Sequence, residues 1–188
     1  MMLGIIDVIF LIFAFITLYF MTFFILLYYK SRKKAHPEKD FLDKVSFIIP
    51  AYNEEETIEK TVNSIKELDY PEKLKEIIVM DDGSVDKTAI LAKKAGATVY
   101  STKNQGKAKA LNYALGKAKG NFIVTVDADS TLTKDSLKYA MRYFADKDVA
   151  AVTVSILSSI KKGIIRRLQE FEYIMIAWAR KNLELVEG

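Results

Sequence analysis

Val45-Ser46-Phe47-Ile48-Ile49-Pro50-Ala51-Tyr52-Asn53-Glu54-Glu55 is the stretch from which the fold can be read. Val45 to Ile49 is an uncharged, β-branched and aromatic run, the pattern of a strand buried on both faces, and Pro50 is expected to stop it. A helix over 54–67 follows, with Ile58, Val62, Ile65 and Leu68 at helical spacing, and Tyr70-Pro71 closes the unit. The unit then recurs. Glu76 to Met80 reads as a second strand, with a helix at 86–95 ended by Gly96. Ala97 to Tyr100 reads as a third strand, with a helix at 107–118. Phe122 to Val126 reads as a fourth, with a helix at 133–145, and Val149 to Val154 as a fifth. Strands without a polar face, separated by helices, predict an α/β fold with a mostly parallel sheet covered by helices on both sides. In such sheets ligands bind beyond the carboxyl ends of the strands.

The residues at those ends are Pro50-Ala51-Tyr52-Asn53-Glu54-Glu55, Asp81-Asp82-Gly83-Ser84, Asn104-Gln105-Gly106-Lys107 and Asp127-Ala128-Asp129. Each has a plain structural reading. Asp-Asp-Gly-Ser makes a good turn, Asn53 could cap the following helix, and Asp127 and Asp129 could be caps too. Together on one edge they read as a ligand site. Asp127 and Asp129 can place two carboxylates near one divalent cation if the chain turns between them, and small Ala128 leaves room for a ligand. Tyr52 offers a ring for stacking a base, and Asp82 offers acceptors for a base N–H or ribose hydroxyls. Lys107 can neutralise phosphate at a Gly106-led helix start whose N–H groups are expected to point outward. A nucleoside diphosphate uses every part. Neither the dinucleotide fingerprint G-x-G-x-x-G nor the P-loop G-x-x-x-x-G-K-[ST] occurs.

Composition narrows the chemistry. The 188 residues contain no cysteine and a single histidine, His36, which excludes disulfides, thiolate metal sites and multi-His metal sites. A metal here needs oxygen ligands, which favours Mg²⁺, Mn²⁺ or Ca²⁺. Much of the net charge of +4 sits in a short collar of Lys30, Arg32, Lys33, Lys34 and Lys39 against Glu38 and Asp40, so no nucleic-acid-binding face is expected.

That collar follows Val8–Tyr29, an uncharged apolar run of roughly 33 Å as a helix, enough to cross a bilayer. It lacks the basic front and small-residue cleavage site of a secretory signal. Residues 1–29 are therefore expected to be a transmembrane anchor and 30–43 a basic juxtamembrane linker. The domain at 44–188 is expected on the cytoplasmic side by the positive-inside rule. Tyr19, Tyr28 and Tyr29 suit the interfaces, the collar suits anionic lipid headgroups, and His36 reads as a linker residue. Near the other end, Ile164, Leu168, Phe171, Met175 and Trp178 mark one apolar face of a helix, expected to pack on protein or lie in a membrane interface.

The four strand-end motifs, in this order over about 44–155, resemble the family 2 glycosyltransferases of the GT-A fold. Arg166-Arg167-Leu168-Gln169-Glu170-Phe171-Glu172-Tyr173 is similar to the processive membrane branch, which includes hyaluronan, chitin, cellulose and poly-N-acetylglucosamine synthases. The resemblance implies that Pro50, Ala51, Tyr52 and Glu54 line the nucleotide pocket and that Asp82 contacts the base, uracil. It implies that Lys107 approaches the diphosphate, Asp127 and Ala128 meet the nucleotide sugar, and Asp129 is the principal ligand of Mg²⁺ or Mn²⁺. The implied activity is metal-assisted, inverting transfer from a UDP-sugar to an acceptor hydroxyl, in polysaccharide synthesis. The family's acceptor-side base and Gln-x-x-Arg-Trp motif are expected beyond Gly188, so no catalytic base is assigned in this chain. Two other readings remain open: a nucleotide-sugar-binding module, inert or completed by a partner chain, and a polyprenyl-phosphate glycosyltransferase.

Overall fold

The computed structural model describes residues 4–31, 37–154, 167–169, 171–173 and 175–176. Closeness in space divides the chain into two units, Pro37–Val152 and Met1–His36 with Thr153–Gly188.

In the second of these, helix α1 runs Ile5–Ser31, and its stretch Ile5–Leu26 has mean hydropathy 2.6 with no part buried. It is long and apolar enough to cross a membrane. Its polar groups are satisfied internally. Thr17 and Thr22 donate their hydroxyls to the carbonyls of Phe13 and Leu18 at 2.9 and 2.8 Å, and the Asp7 carboxylate accepts the Gly4 N–H at the helix start. Tyr19 and Tyr29 are exposed; the side chain of Tyr28, and His36, lie outside the described residues. Of the expected late helix, 167–169, 171–173 and 175–176 are described and helical, with Leu168, Phe171 and Met175 exposed, while Ile164 and Trp178 lie outside the described residues.

The unit Pro37–Val152 holds four parallel strands: β1 Val45–Ala51, β2 Lys75–Asp81, β3 Thr98–Ser101 and β4 Phe122–Thr125, in the order β3-β2-β1-β4. Helices α2 Ile58–Lys66, α3 Thr88–Lys94, α4 Lys107–Leu115 and α5 Ser136–Tyr143 come between and after them. On one face Val45, Phe47, Ile49 and Ala51 of β1 and Val79 of β2 pack with Ile58, Val62 and Ile65 of α2, Ala92 of α3, and Leu137 and Met141 of α5. On the other, Ile48, Ile78 and Met80 meet only Ala110 and Ala114 of α4 as buried partners. This is the two-sided cover that strands without a polar face require. Residues Pro37–Asp43 belong to this unit: Phe41 stands edge-on to Phe122, Asp40 pairs with Arg142 at 2.8 Å, and the Tyr70 hydroxyl bridges the N–H and carbonyl of Asp43.

Three expectations need correction. Pro50 does not stop β1, which continues to Ala51. Ile48 accepts the Val126 N–H on the β4 side and Ala51 the Asp82 N–H on the β2 side, so position 50 faces the β4 side. The β1–β4 ladder ends at Ile48↔Thr125, so proline's missing donor removes no ladder bond. Helix α2 begins at Ile58 and not at 54: the N–H groups of Thr57 and Ile58 both turn back to the Glu54 carbonyl, at 3.2 and 3.0 Å, so 54–57 form a tight turn ahead of the helix. Residues 149–154 form no fifth strand, and the sheet has four among the described residues. Apolar β-branched composition permits a strand, but only a ladder partner makes one.

Candidate functional site

Four loops leave the carboxyl edge of the sheet, and four of the chain's positive-φ residues lie in them: Asn53 (55°), Gly83 (85°), Asn104 (37°) and Gly106 (90°). The loops after β1 and β2 are laced together. The N–H groups of Asn53, Glu54 and Glu55 donate in turn to Ser84 Oγ (2.9 Å), Thr88 Oγ1 (2.8 Å) and Asp86 Oδ2 (3.2 Å). In return the Val85 N–H reaches Asn53 Oδ1 at 3.0 Å and the Lys87 N–H reaches Glu55 Oε2 at 3.1 Å. Asp86 also receives the N–H and hydroxyl of Thr88, so its carboxyl lies below the usual carboxylate range: burial raises it, and these hydrogen bonds outweigh burial. Asn53 is thus a clasp between loops and not a helix cap.

Asp82, 6% exposed, anchors the third loop. Its Oδ1 accepts the Thr102 hydroxyl at 2.7 Å and the Gln105 N–H at 2.8 Å, and its Oδ2 accepts the Gly106 N–H at 2.7 Å. The Gln105 N–H above all, then the Thr102 hydroxyl and the Gly106 N–H, hold the Asp82 carboxyl below its ordinary range against the opposing effect of burial. The N–H groups expected to point outward at the start of α4 are, for Gln105 and Gly106, turned onto this carboxylate. Gly106 itself, at φ 90° and ψ 154°, occupies a region that only glycine enters readily, and a Cβ there would meet nothing within 4 Å. Gly106→Ala should therefore cost about 1–3 kcal/mol of backbone strain without a steric clash. Urea unfolding monitored by circular dichroism checks this, and an unchanged midpoint would contradict the assigned backbone geometry.

With its start fixed in this way, α4 extends Lys107 toward the end of β4, where Nζ lies 2.6 Å from Asp127 Oδ1, both side chains being about 60% exposed (63% and 62%). Burial alternates from Phe122 to Asp129, so Val126 and Ala128 face the core while Asp127 and Asp129 both stay exposed. A turn closed by the Ser130 N–H on the Asp127 carbonyl (3.0 Å) follows, and the Ala128 carbonyl is held by the buried Thr61 hydroxyl at 2.7 Å. Helix α5 has Asp135 as its N-cap, so neither Asp127 nor Asp129 caps it. Pro50 is half-buried, Ala51 is buried and Tyr52, at the head of the clasp, is 47% exposed. The Glu54 carboxylate accepts the Thr57 hydroxyl at 2.8 Å.

Among the described residues no three acidic or histidine side chains gather at one point, so a cation has no ready-made cage here. The all-oxygen donor set still fits Mg²⁺ or Mn²⁺, which are commonly held by one or two carboxylates with substrate phosphates completing the shell. A groove of about 540 Å³ lined by Thr102, Lys103, Gln105, Lys109, Asn112 and Tyr113 lies beside the third loop, and of the residues expected at the ligand edge only Gln105 lines it.

The sequence model of glycosyl transferase family 2 matches residues 46–185. The chain belongs to this family. The poly-beta-1,6-N-acetyl-D-glucosamine synthase of Staphylococcus aureus (strain COL) is 32% identical over 166 residues, which cover 85% of this chain and 40% of that protein. The synthase of the same name from Staphylococcus epidermidis is 31% identical over 164 residues, covering 80% and 38%. The chain thus spans about 40% of the length of these curated relatives. Among solved structures, the mannosyltransferase PcManGT of Pyrobaculum calidifontis, in complex with GDP-Man and Mn²⁺, superposes with a TM-score of 0.59 at 31% identity, over 67% of this chain and 41% of that one. S. aureus TarS (residues 1–349), in complex with UDP-GlcNAc, superposes at 0.51 and 30%, over 62% and 38%. These neighbours share the GT-A fold, and the family 2 domain accounts for the parallel sheet with its loops gathered at the carboxyl edge.

Within this family 2 domain, sequence reading named the residues at the rim but not those that hold them. Asp86 and Thr88, just past the Asp-Asp-Gly-Ser turn, were given no role there. The Thr61 hydroxyl in α2, the Thr102 hydroxyl and the Gln105 backbone N–H carried no role, since such a donor has no signal until its partner, 20 or more positions away, is known.

Proposed function

We propose that this family 2 domain binds a UDP-sugar and belongs to a membrane-anchored, inverting glycosyltransferase of polysaccharide synthesis. The carrying observation is the rim at the end of β4, where the Lys107 ammonium lies against Asp127, and Asp129, two residues on, is exposed like it. One cationic and two anionic groups suit a diphosphate and its counter-ion. The names of the relatives favour N-acetylglucosamine as the sugar, and the UDP-GlcNAc in TarS favours uridine as the nucleoside.

In this reading Tyr52 stacks on the base, and Pro50, Ala51 and Glu54 form the wall beside it. Asp82 acts on the nucleotide with the capacity its three internal hydrogen bonds leave, and through the loop it anchors. Lys107 neutralises diphosphate charge, and Asp127 and Ala128 border the sugar. Asp129, with Asp127, would hold Mg²⁺ or Mn²⁺, which when bound supplies positive charge against the leaving diphosphate. Helix α1 anchors the chain with the domain on the cytoplasmic side, supported by its length and the basic residues after it.

UDP titration of the full chain in detergent, with and without Mn²⁺, tests the site. Mn²⁺ should tighten UDP binding, and Asp129→Ala should remove at least about tenfold of that gain. Binding that ignores the metal would remove the role given to Asp129.

A further inference from the structure

Lys107 and Asp127 come from different elements, α4 and the turn after β4, yet their charged atoms are in direct contact at 2.6 Å. Asp127 and Asp129 are the two exposed carboxylates just past β4, whereas Asp82 is taken up by Thr102, Gln105 and Gly106. Any dication held by Asp127 would therefore replace, or lie beside, an ammonium already paired with it. Two carboxylates, one of them neutralised, make a poor site for Mg²⁺ or Mn²⁺, which bind through carboxylates with phosphate oxygens and water completing the shell. A diphosphate changes the balance, because it offers Lys107 a better anion and the cation further oxygen ligands at once.

We infer that Lys107 acts as an interlock: it occupies Asp127 in the empty site, and a nucleoside diphosphate frees Asp127 for the cation by drawing the ammonium to its phosphates. The inference rests on the nucleotide-binding reading above and adds a rule to it, that cation and nucleotide bind with positive coupling set partly by Lys107. The backbone supports a discrete exchange. The start of α4 is pinned by the two N–H bonds to Asp82, so the lysine exchanges partners by side-chain rotation while the helix stays in place. Coupling of this kind is reciprocal, so Mn²⁺ must tighten UDP by the factor by which UDP tightens Mn²⁺.

The test is Mn²⁺ binding by the full chain in detergent, read from the free Mn²⁺ electron paramagnetic resonance signal with and without saturating UDP. In the wild type UDP should tighten Mn²⁺ by at least about tenfold. Lys107→Met should bind Mn²⁺ without UDP about three- to tenfold tighter than wild type, the range expected from removing a partly exposed ion pair and its repulsion of a dication. Its UDP-dependent gain should shrink. Lys107→Arg should restore the wild-type pattern, and Lys93→Met, which removes a charge from α3, should leave it unchanged. If Lys107→Met leaves metal affinity without UDP as in the wild type, while Asp129→Ala still weakens Mn²⁺ binding with UDP, the interlock is refuted and the site stands. If Mn²⁺ binds neither alone nor with UDP in any variant, both fall.

Discussion

Gly120→Ala is expected to destabilise the domain by about 3 kcal/mol or more, a large share of the 5–15 kcal/mol typical of a folded domain. The cause is space and not backbone conformation. A Cβ on Gly120 would lie 2.5 Å from the Ser46 backbone nitrogen, 2.8 Å from Ser46 Oγ and 2.8 Å from the Val45 carbonyl carbon. Two of these three are backbone atoms of β1, which is paired on both sides and cannot retreat. The contact is also bonded: the Gly120 N–H donates to Ser46 Oγ at 2.8 Å, Ser46 donates to Glu76, and the Lys119 N–H reaches the same Glu76 oxygen at 2.9 Å. The substitution therefore pushes β4 off β1, at the end opposite the carboxyl edge of the sheet. Urea unfolding of the full chain in detergent should show a midpoint far below wild type. A midpoint equal to wild type would mean that the two segments do not approach as described.

Asp82→Ala should do comparable harm at the other end of the sheet. It leaves the Gln105 and Gly106 N–H groups and the Thr102 hydroxyl without their acceptor, at about 1–3 kcal/mol for each group that water cannot reach. A loss of about 2–4 kcal/mol is expected, with UDP affinity falling more than about tenfold as the start of α4, and Lys107 with it, comes free. The pH dependence carries a signature. The folded-state carboxyl sits below its unfolded value of about 3.9, so its stabilising contribution is complete above that value and disappears as pH falls through the folded one. The gap between wild type and Asp82→Ala should be widest near neutral pH and close on acidification. A gap that persists unchanged into strong acid would show that the alanine acts by packing and not by loss of the carboxylate.

Both predictions depend on partners that are remote in sequence, and that is where legibility ended. The order of strands and helices was readable because each element announces itself locally. Val45 to Ile49 has no polar face, and Ile58, Val62 and Ile65 recur at helical spacing. That the loops gather at one edge was readable too, because parallel strands carry them there. Pro50 shows the limit: its effect on β1 depended on where β4 stops pairing, which the residues around it do not encode. The run 149–154 shows it from the other side, since its composition allows a strand that the ladder among the described residues does not include.

The sequence by itself determined the family 2 domain, the parallel sheet, the loops that meet at its carboxyl edge and an apolar N-terminal helix long enough to cross a membrane. Only the tertiary structure decided what each polar residue in those loops does: that Asp82 holds Gln105 and Gly106, that Lys107 rests on Asp127, that Asn53 to Glu55 are clasped by Ser84, Asp86 and Thr88, and that Gly120 must lie bare against Ser46. The physical reason is range. Periodicity records which face a side chain takes along its own element, whereas a hydrogen bond or ion pair is settled by whatever group the crossovers bring to within 3 Å of it.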